Sequence, residues 1–264
     1  MLYSYSGQFT FGHILPFGLG AFFTIILTND YGFPLFLSFV IGAAIASAVS
    51  GSVGASTQRL KPGYQGLATF LFSQVLYNVM LFIFGEEGIS LSASVSPSPF
   101  ILYEIGVCLF LSSMFAIFLV EHSRLRSKLL AIRDDSILAE STGINVTYYK
   151  TVLFYVSTLF AGIAGCFFGL YISHADYTIF SVTNTFLPIG MAVIGGLGSV
   201  AGSILGTGLV SLLSTILPIS LSLSVSYLIY GLLLIVILRF SAGGIVGFTT
   251  SVANRLRRLG SKKI

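Results

Sequence analysis

The stretch SRLRSKLLAIRDDSILAESTGINVTYYK, residues 123–150, is a polar island in a chain that otherwise reads as membrane helices. It holds Arg124, Arg126, Lys128, Arg133, Asp134, Asp135, Glu140 and Lys150, whereas only 8% of the 264 residues are charged and 55% are hydrophobic. A soluble domain carries about 25% charged residues, because charge keeps its surface wet. With a mean hydropathy of +0.95, this chain lacks the polar surface to cover a globule, so lipid has to be its solvent. The island then reads as a cytoplasmic loop at which something soluble can dock.

A bilayer core about 30 Å thick takes roughly 20 helical residues to cross. On that ruler the chain divides into about eight spans, near 9–28, 34–55, 66–84, 100–120, 150–172, 183–198, 200–218 and 224–240. The fold class is thus an all-α polytopic membrane protein, a single transmembrane domain over 1–264. The sixth and seventh spans are short and glycine-rich, which marks one or both as broken or re-entrant. Proline in the first span, Pro16, predicts a kink there, because it removes a backbone donor and crowds the preceding turn.

Charge sets the orientation. With both termini in the cytoplasm, the inside segments are about 55–66, 121–150 and 239–264, and they contain all 13 Lys and Arg. The outside loops and ends carry Asp30, Glu86, Glu87, Glu104 and Asp176 and no basic residue. That asymmetry follows the rule that Lys and Arg stay inside. It gives a cytoplasmic loop at 121–150 and a basic cytoplasmic tail at 241–264. The net charge of +4 is therefore topological and does not point to nucleic acid.

Several chemistries are excluded by pattern. No GxxxxGK[ST] occurs, so the chain has no ATP-binding loop of its own. Gly195–Gly202 imitates a dinucleotide fingerprint, but its flanks are apolar spans; a tight turn through Gly195, Gly196 and Gly198 between closely packed helices is the better reading. His13, His122 and His174 are far apart in sequence, and Cys108 and Cys166 sit in apolar runs, so neither a metal site nor a disulfide is expected. No cofactor and no catalytic residue is expected either. His13 alone among the histidines falls within a span, where an ionisable side chain is a functional candidate by default. It lines a solute path or it sits neutral against a backbone carbonyl. Small residues at a spacing of four (Gly42, Ala46, Ser50 and Gly54; Gly165 and Gly169; Gly198, Gly202 and Gly206) predict close helix packing. Within the island, Leu129–Thr142 lacks Pro and Gly and predicts one short helix, with Gly143 as its stop.

The string AIRDDSILAESTGINVTYYKTVLFYVSTLFAGIAG, residues 131–165, resembles the permeases of branched-chain amino acid ABC importers. Ala139, Glu140, Gly143, Ile144, Asn145, Lys150, Phe154, Ala161, Gly162, Ala164 and Gly165 carry the match. SGQFTFGHILPFGLGAFF resembles that family's opening element through Gly7, Gln8, Gly12, His13, Gly20 and Ala21. MAVIGGLGSVAGSILGTGLV, residues 191–210, resembles its glycine signature. Family members usually carry one or two more helices before the opening element.

The resemblance implies a permease subunit of the bacterial inner membrane, importing branched-chain amino acids or related small solutes. Its implied partners are two cytoplasmic ATPase subunits, a second homologous permease subunit and an extracytoplasmic solute-binding protein. The chain itself would be a translocation subunit and not an enzyme. The 131–143 helix would be the coupling helix, with Arg133, Asp134, Asp135, Ala139, Glu140 and Gly143 at the ATPase. His13, Pro16, Gly195, Gly196 and Gly198 are the candidates for the solute path. The rival reading is an ion-coupled secondary transporter of small solutes, with His13 or Glu104 as its proton site.

Overall fold

The computed structural model describes residues 2–92, 97–196 and 198–220, with isolated positions at 225, 229, 231, 232 and 244. The described chain is all-α apart from one two-residue strand pair, and it divides into two units, Met1–Thr185 and Phe186–Ile264.

The first unit opens with α1 (Leu2–Ser6), α2 (Ile14–Asn29), α3 (Leu35–Thr57), α4 (Pro62–Phe84) and α5 (Pro99–Glu121). Two short helices follow, α6 (Arg124–Asp134) and α7 (Ser136–Ser141), and then the 27-residue α8 (Val146–Ile172). Proline starts both α4 and α5, where its fixed φ suits a helix and its missing N–H is no loss. The expected spans 34–55, 66–84, 100–120 and 150–172 coincide with α3, α4, α5 and α8, which among the described residues are the four single helices long and apolar enough to cross a membrane.

The first span differs from expectation. Its helix starts at Ile14 and has 16 residues, about 24 Å at the usual helical rise. Pro16 therefore falls in the first turn, where the backbone donors of any helix are unpaired, and the predicted kink has no cause. A short helix is tolerated here because α2 is covered by protein. It packs with α3 and α8 in a three-helix core, the most extensive contacts of the unit. Ala21, Phe22, Thr24 and Ile25 are fully enclosed. Close approach requires glycine: a Cβ on Gly165 would strike the Phe17 carbonyl, and one on Gly20 would strike the Gly162 carbonyl. The small-residue row of α3 behaves likewise, Gly42 meeting Thr24 and Gly54 meeting the Phe154 ring. With no hydrophobic drive between helices in lipid, such fit supplies the association.

At one end of this core, β1 (Ile89–Ser90) pairs antiparallel with β2 (His174–Ala175). A 3-10 turn, Tyr177–Phe180, follows, capped by Asp176 through the Thr178 N–H at 2.8 Å. Ser90 Oγ lies 2.9 Å from His174 Nδ1, and Asn29 Nδ2 donates to the Ser90 carbonyl at 2.8 Å. These bonds tie three loops together.

The second unit contains most of α9 (Val182–Gly195) and α10 (Val200–Ser220). The sixth and seventh expected spans are a single bent pair, turning by 119° at the break. Among the described residues four helices are long and apolar enough to cross, or five with the bent pair taken as one broken span, and α2 is a further, shorter apolar helix. The eighth, 224–240, and the basic tail at 241–264 lie outside the described residues apart from the isolated positions.

Candidate functional site

The polar island forms two helices, not one. Asp135 leaves helical geometry at φ −154°, ψ 107°, and its carboxylate accepts from the Ile137 and Leu138 N–H groups at 2.9 and 3.0 Å. Aspartate is among the best N-caps, so the second of two adjacent aspartates ends α6 and starts α7. Six residues later the helix stops. Gly143 sits at φ +84°, a conformation glycine adopts without strain. Its N–H donates to the Glu140 carbonyl at 3.0 Å, and the Ile144 N–H donates to the Ala139 carbonyl at 3.2 Å. That pair of bonds is a Schellman stop. Asn145 then caps α8, accepting from the Tyr148 N–H at 3.0 Å. The string GIN is therefore a helix stop, a bridge and a helix start.

The six residues expected to meet a partner divide by role. Asp135 is occupied as a cap, Gly143 as a turn, and Ala139 is the buried residue of α7. Arg133 turns back on the chain: its Nη1 donates to the Ser4 carbonyl at 2.9 Å, its stem covers Gly7, and it pairs with Asp134 at 3.2 Å. Asp134 and Glu140 remain exposed to solution. Between them lie Ile137, 81% exposed, and Leu138, 63% exposed. Sequence reasoning passed over this apolar pair because it looked for polar docking contacts. With residues 129–142 read as one helix, nothing marked the pair; its exposure follows from the cap at Asp135, which makes α7 too short to bury two faces.

The island is anchored to the core from beneath. Leu129 of α6 packs with Leu2 and Tyr5 of α1 and with Leu153 and Phe154 of α8. Burial raises the pKa of the Tyr5 hydroxyl, Glu121 adding to the effect and Arg126 opposing it. From α1 the chain runs past three helices. Gln8 bonds Gln58 at the end of α3, Thr10 Oγ1 meets Thr69 Oγ1 of α4 at 3.1 Å, and His13 Nε2 lies 2.7 Å from Ser157 Oγ of α8.

The expected path residues fall in two places. His13 is bonded to Ser157 with its ring against Phe154, and Pro16 is fully buried in the three-helix core. Gly195, Gly196 and Gly198 form the bend of the α9–α10 pair, the last two at φ 121° and 94°. Gly198 thus belongs to the turn, and only Gly202 and Gly206 of its row lie on a helix; there they meet the backbone of Gly195 and Met191. Glu104 is exposed on α5. Among the described residues no three His, Cys, Asp or Glu side chains gather as metal ligands.

Residues 1–238 match the family model described as the branched-chain amino acid transport system permease component. The chain is 22% identical over 227 residues to the high-affinity branched-chain amino acid transport system permease protein LivM of Salmonella typhimurium. It is 23% identical over the same length to LivM of Escherichia coli. Each alignment covers 74% of this chain and 53% of the relative, so the chain spans about half the length of the curated relatives it matches. No solved structure matches it.

Proposed function

This chain belongs to the family of branched-chain amino acid transport system permease components, and on that footing we propose that it is the translocation subunit of an ATP-driven importer for branched-chain amino acids or related small solutes. It sits in the bacterial inner membrane with both termini in the cytoplasm. A second homologous permease subunit, two cytoplasmic ATPase subunits and an extracytoplasmic solute-binding protein complete the assembly. The family consists of translocation subunits, and the chemistry of ATP hydrolysis belongs to the partners.

The observation that carries this reading is the build of α7. A six-residue helix is locked at both ends by caps, fixed to α8 through Asn145, and presents Ile137 and Leu138 outward. Two large aliphatic side chains held rigid in water are a poor surface for a free loop and a good anchor for a partner's cleft. Asp134 and Glu140 flank the pair and set its register by charge. Movement of an ATPase dimer against α7 would pass to α8 through Asn145 and to α1 through Arg133.

The test is co-purification of the tagged chain with the products of neighbouring genes in mild detergent. Two ATPases and a second permease should elute with it, and the double change Ile137→Ser, Leu138→Ser should lose the ATPases while insertion persists. Glu140→Lys should weaken the same capture. Elution of the wild-type chain alone, with those partners expressed and folded, would overturn the reading in favour of an ion-coupled transporter.

A further inference from the structure

Helix α6 has a second surface, separate from the docking tip. Leu125, Leu129 and Ile132 share one face at helical spacing; Leu129 and Ile132 are each 2% exposed, while Leu125 at the helix start is 39% exposed. Arg124 and Lys128, four residues apart, flank that face on one side, and both are exposed. Arg126 lies on the other flank, where it and Glu121 act on the Tyr5 hydroxyl. Neither Arg124 nor Lys128 has a salt bridge to a described carboxylate. Lys128 instead reaches α8, its Nζ 2.5 Å from Tyr149 Oη and 4.8 Å from that ring's centroid. Tyr148 beside it is 59% exposed.

This surface lies at the end of a membrane helix. α5 ends at Glu121, three residues before α6 begins, and its last turns expose Phe118 and Leu119. An exposed leucine beside two cations without a described salt bridge, one of them against a tyrosine, has the composition of a membrane interface, where apolar side chains enter lipid, amphipathic rings sit at headgroup depth and basic stems reach the phosphates.

The geometry points to a binding site for an anionic lipid of the cytoplasmic leaflet, its phosphate held between Arg124 and Lys128 of α6 and the Tyr149 hydroxyl of α8. Arg124 and Lys128 supply the charge, Tyr149 positions the lysine, and Leu125 meets the upper acyl chain. The site needs only the chain and a bilayer, so it stands apart from the proposed transport role.

The chain contains no tryptophan, which permits a single reporter. Leu125→Trp is placed in nanodiscs of phosphatidylcholine with a small fraction of phosphatidylglycerol, one or the other brominated in its acyl chains. Brominated phosphatidylglycerol should quench the reporter on the order of tenfold beyond its share of the bilayer, as expected for two basic side chains at a membrane surface. Arg124→Gln with Lys128→Gln should abolish the excess, and Arg124→Lys with Lys128→Arg should keep it. Native mass spectrometry of the unaltered chain, released from the same discs, should show retained phosphatidylglycerol that the double glutamine variant loses, a readout that does not need the tryptophan. Quenching in proportion to mole fraction, or an excess that survives the glutamine pair, would overturn the site. So would a need for Arg124 and Lys128 in capturing the ATPases from phosphatidylcholine alone, since the surface would then belong to a protein partner.

Discussion

Asp134 and Asp135 are neighbours with opposite fates. The first points to solvent and pairs with Arg133, and the second is consumed by the backbone of α7. Asp135→Ala should therefore weaken α7 by about 1 kcal/mol, the usual worth of an N-cap, while Asp135→Asn should retain most of it. Hydrogen exchange at the Ile137 and Leu138 amides reads the difference directly, because those two groups lose their acceptor. Arg133 is exposed, so its bond to the Ser4 carbonyl is worth less than a buried charged bond, about 1 kcal/mol. Arg133→Ala should free α1 and speed proteolysis within residues 2–13, leaving the membrane helices intact. Neither role was legible in the sequence. A charged residue in a soluble loop looks the same whether it meets a partner or its own backbone, and the choice depends on where residues 4 and 7 return in space.

At the scale of elements, the long helices were readable because each is a run of about 23 apolar residues bounded by proline, glycine or charge. The island was readable in outline, since Gly143 stops a helix wherever it occurs; its break at Asp135 was not, because one aspartate inside a helical pattern gives no sign that it will cap. α2 was mis-bounded at its start for a related reason: Phe9 and Phe11 extend the apolar run backwards, but Thr10, the Phe11 N–H and His13 are spent bonding α4 and α8. The energetics of the island rest on Leu129, which joins α6 to α1 and α8. Leu129→Ala should cost about 2–4 kcal/mol and undock α6, seen as a lower melting temperature in detergent and loss of exchange protection across residues 124–134. Gly165→Leu would force α2 and α8 apart at Phe17, and the variant should fail to elute as a single species.

For the whole molecule, charge and structure make a joint demand. All Lys and Arg lie to one side only if α9 and α10 enter and leave by the same face or cross twice. A single crossing by the bent pair, followed by a span at 224–240, would put the six basic residues from Arg239 onward outside. With Cys108 and Cys166 replaced by serine and alanine, single cysteines at 127, 143 and 261 should react with a membrane-impermeant reagent only after permeabilisation of inner-membrane vesicles from the periplasmic face, and one at 87 should react before. Reaction at 261 in the opposite class would place one crossing in the pair. The three-helix core has a further consequence, for the order of synthesis. α2 is too short to be a comfortable guest in lipid and is at ease only when α3 and α8 enclose it. α3 follows it from the ribosome at once, but all of residues 30–145 must be made before α8 appears. During that interval the most enclosed of the described helices has its unmatched glycine face turned toward whatever the insertion machinery offers, and the chain's vulnerability to degradation should be concentrated in that window.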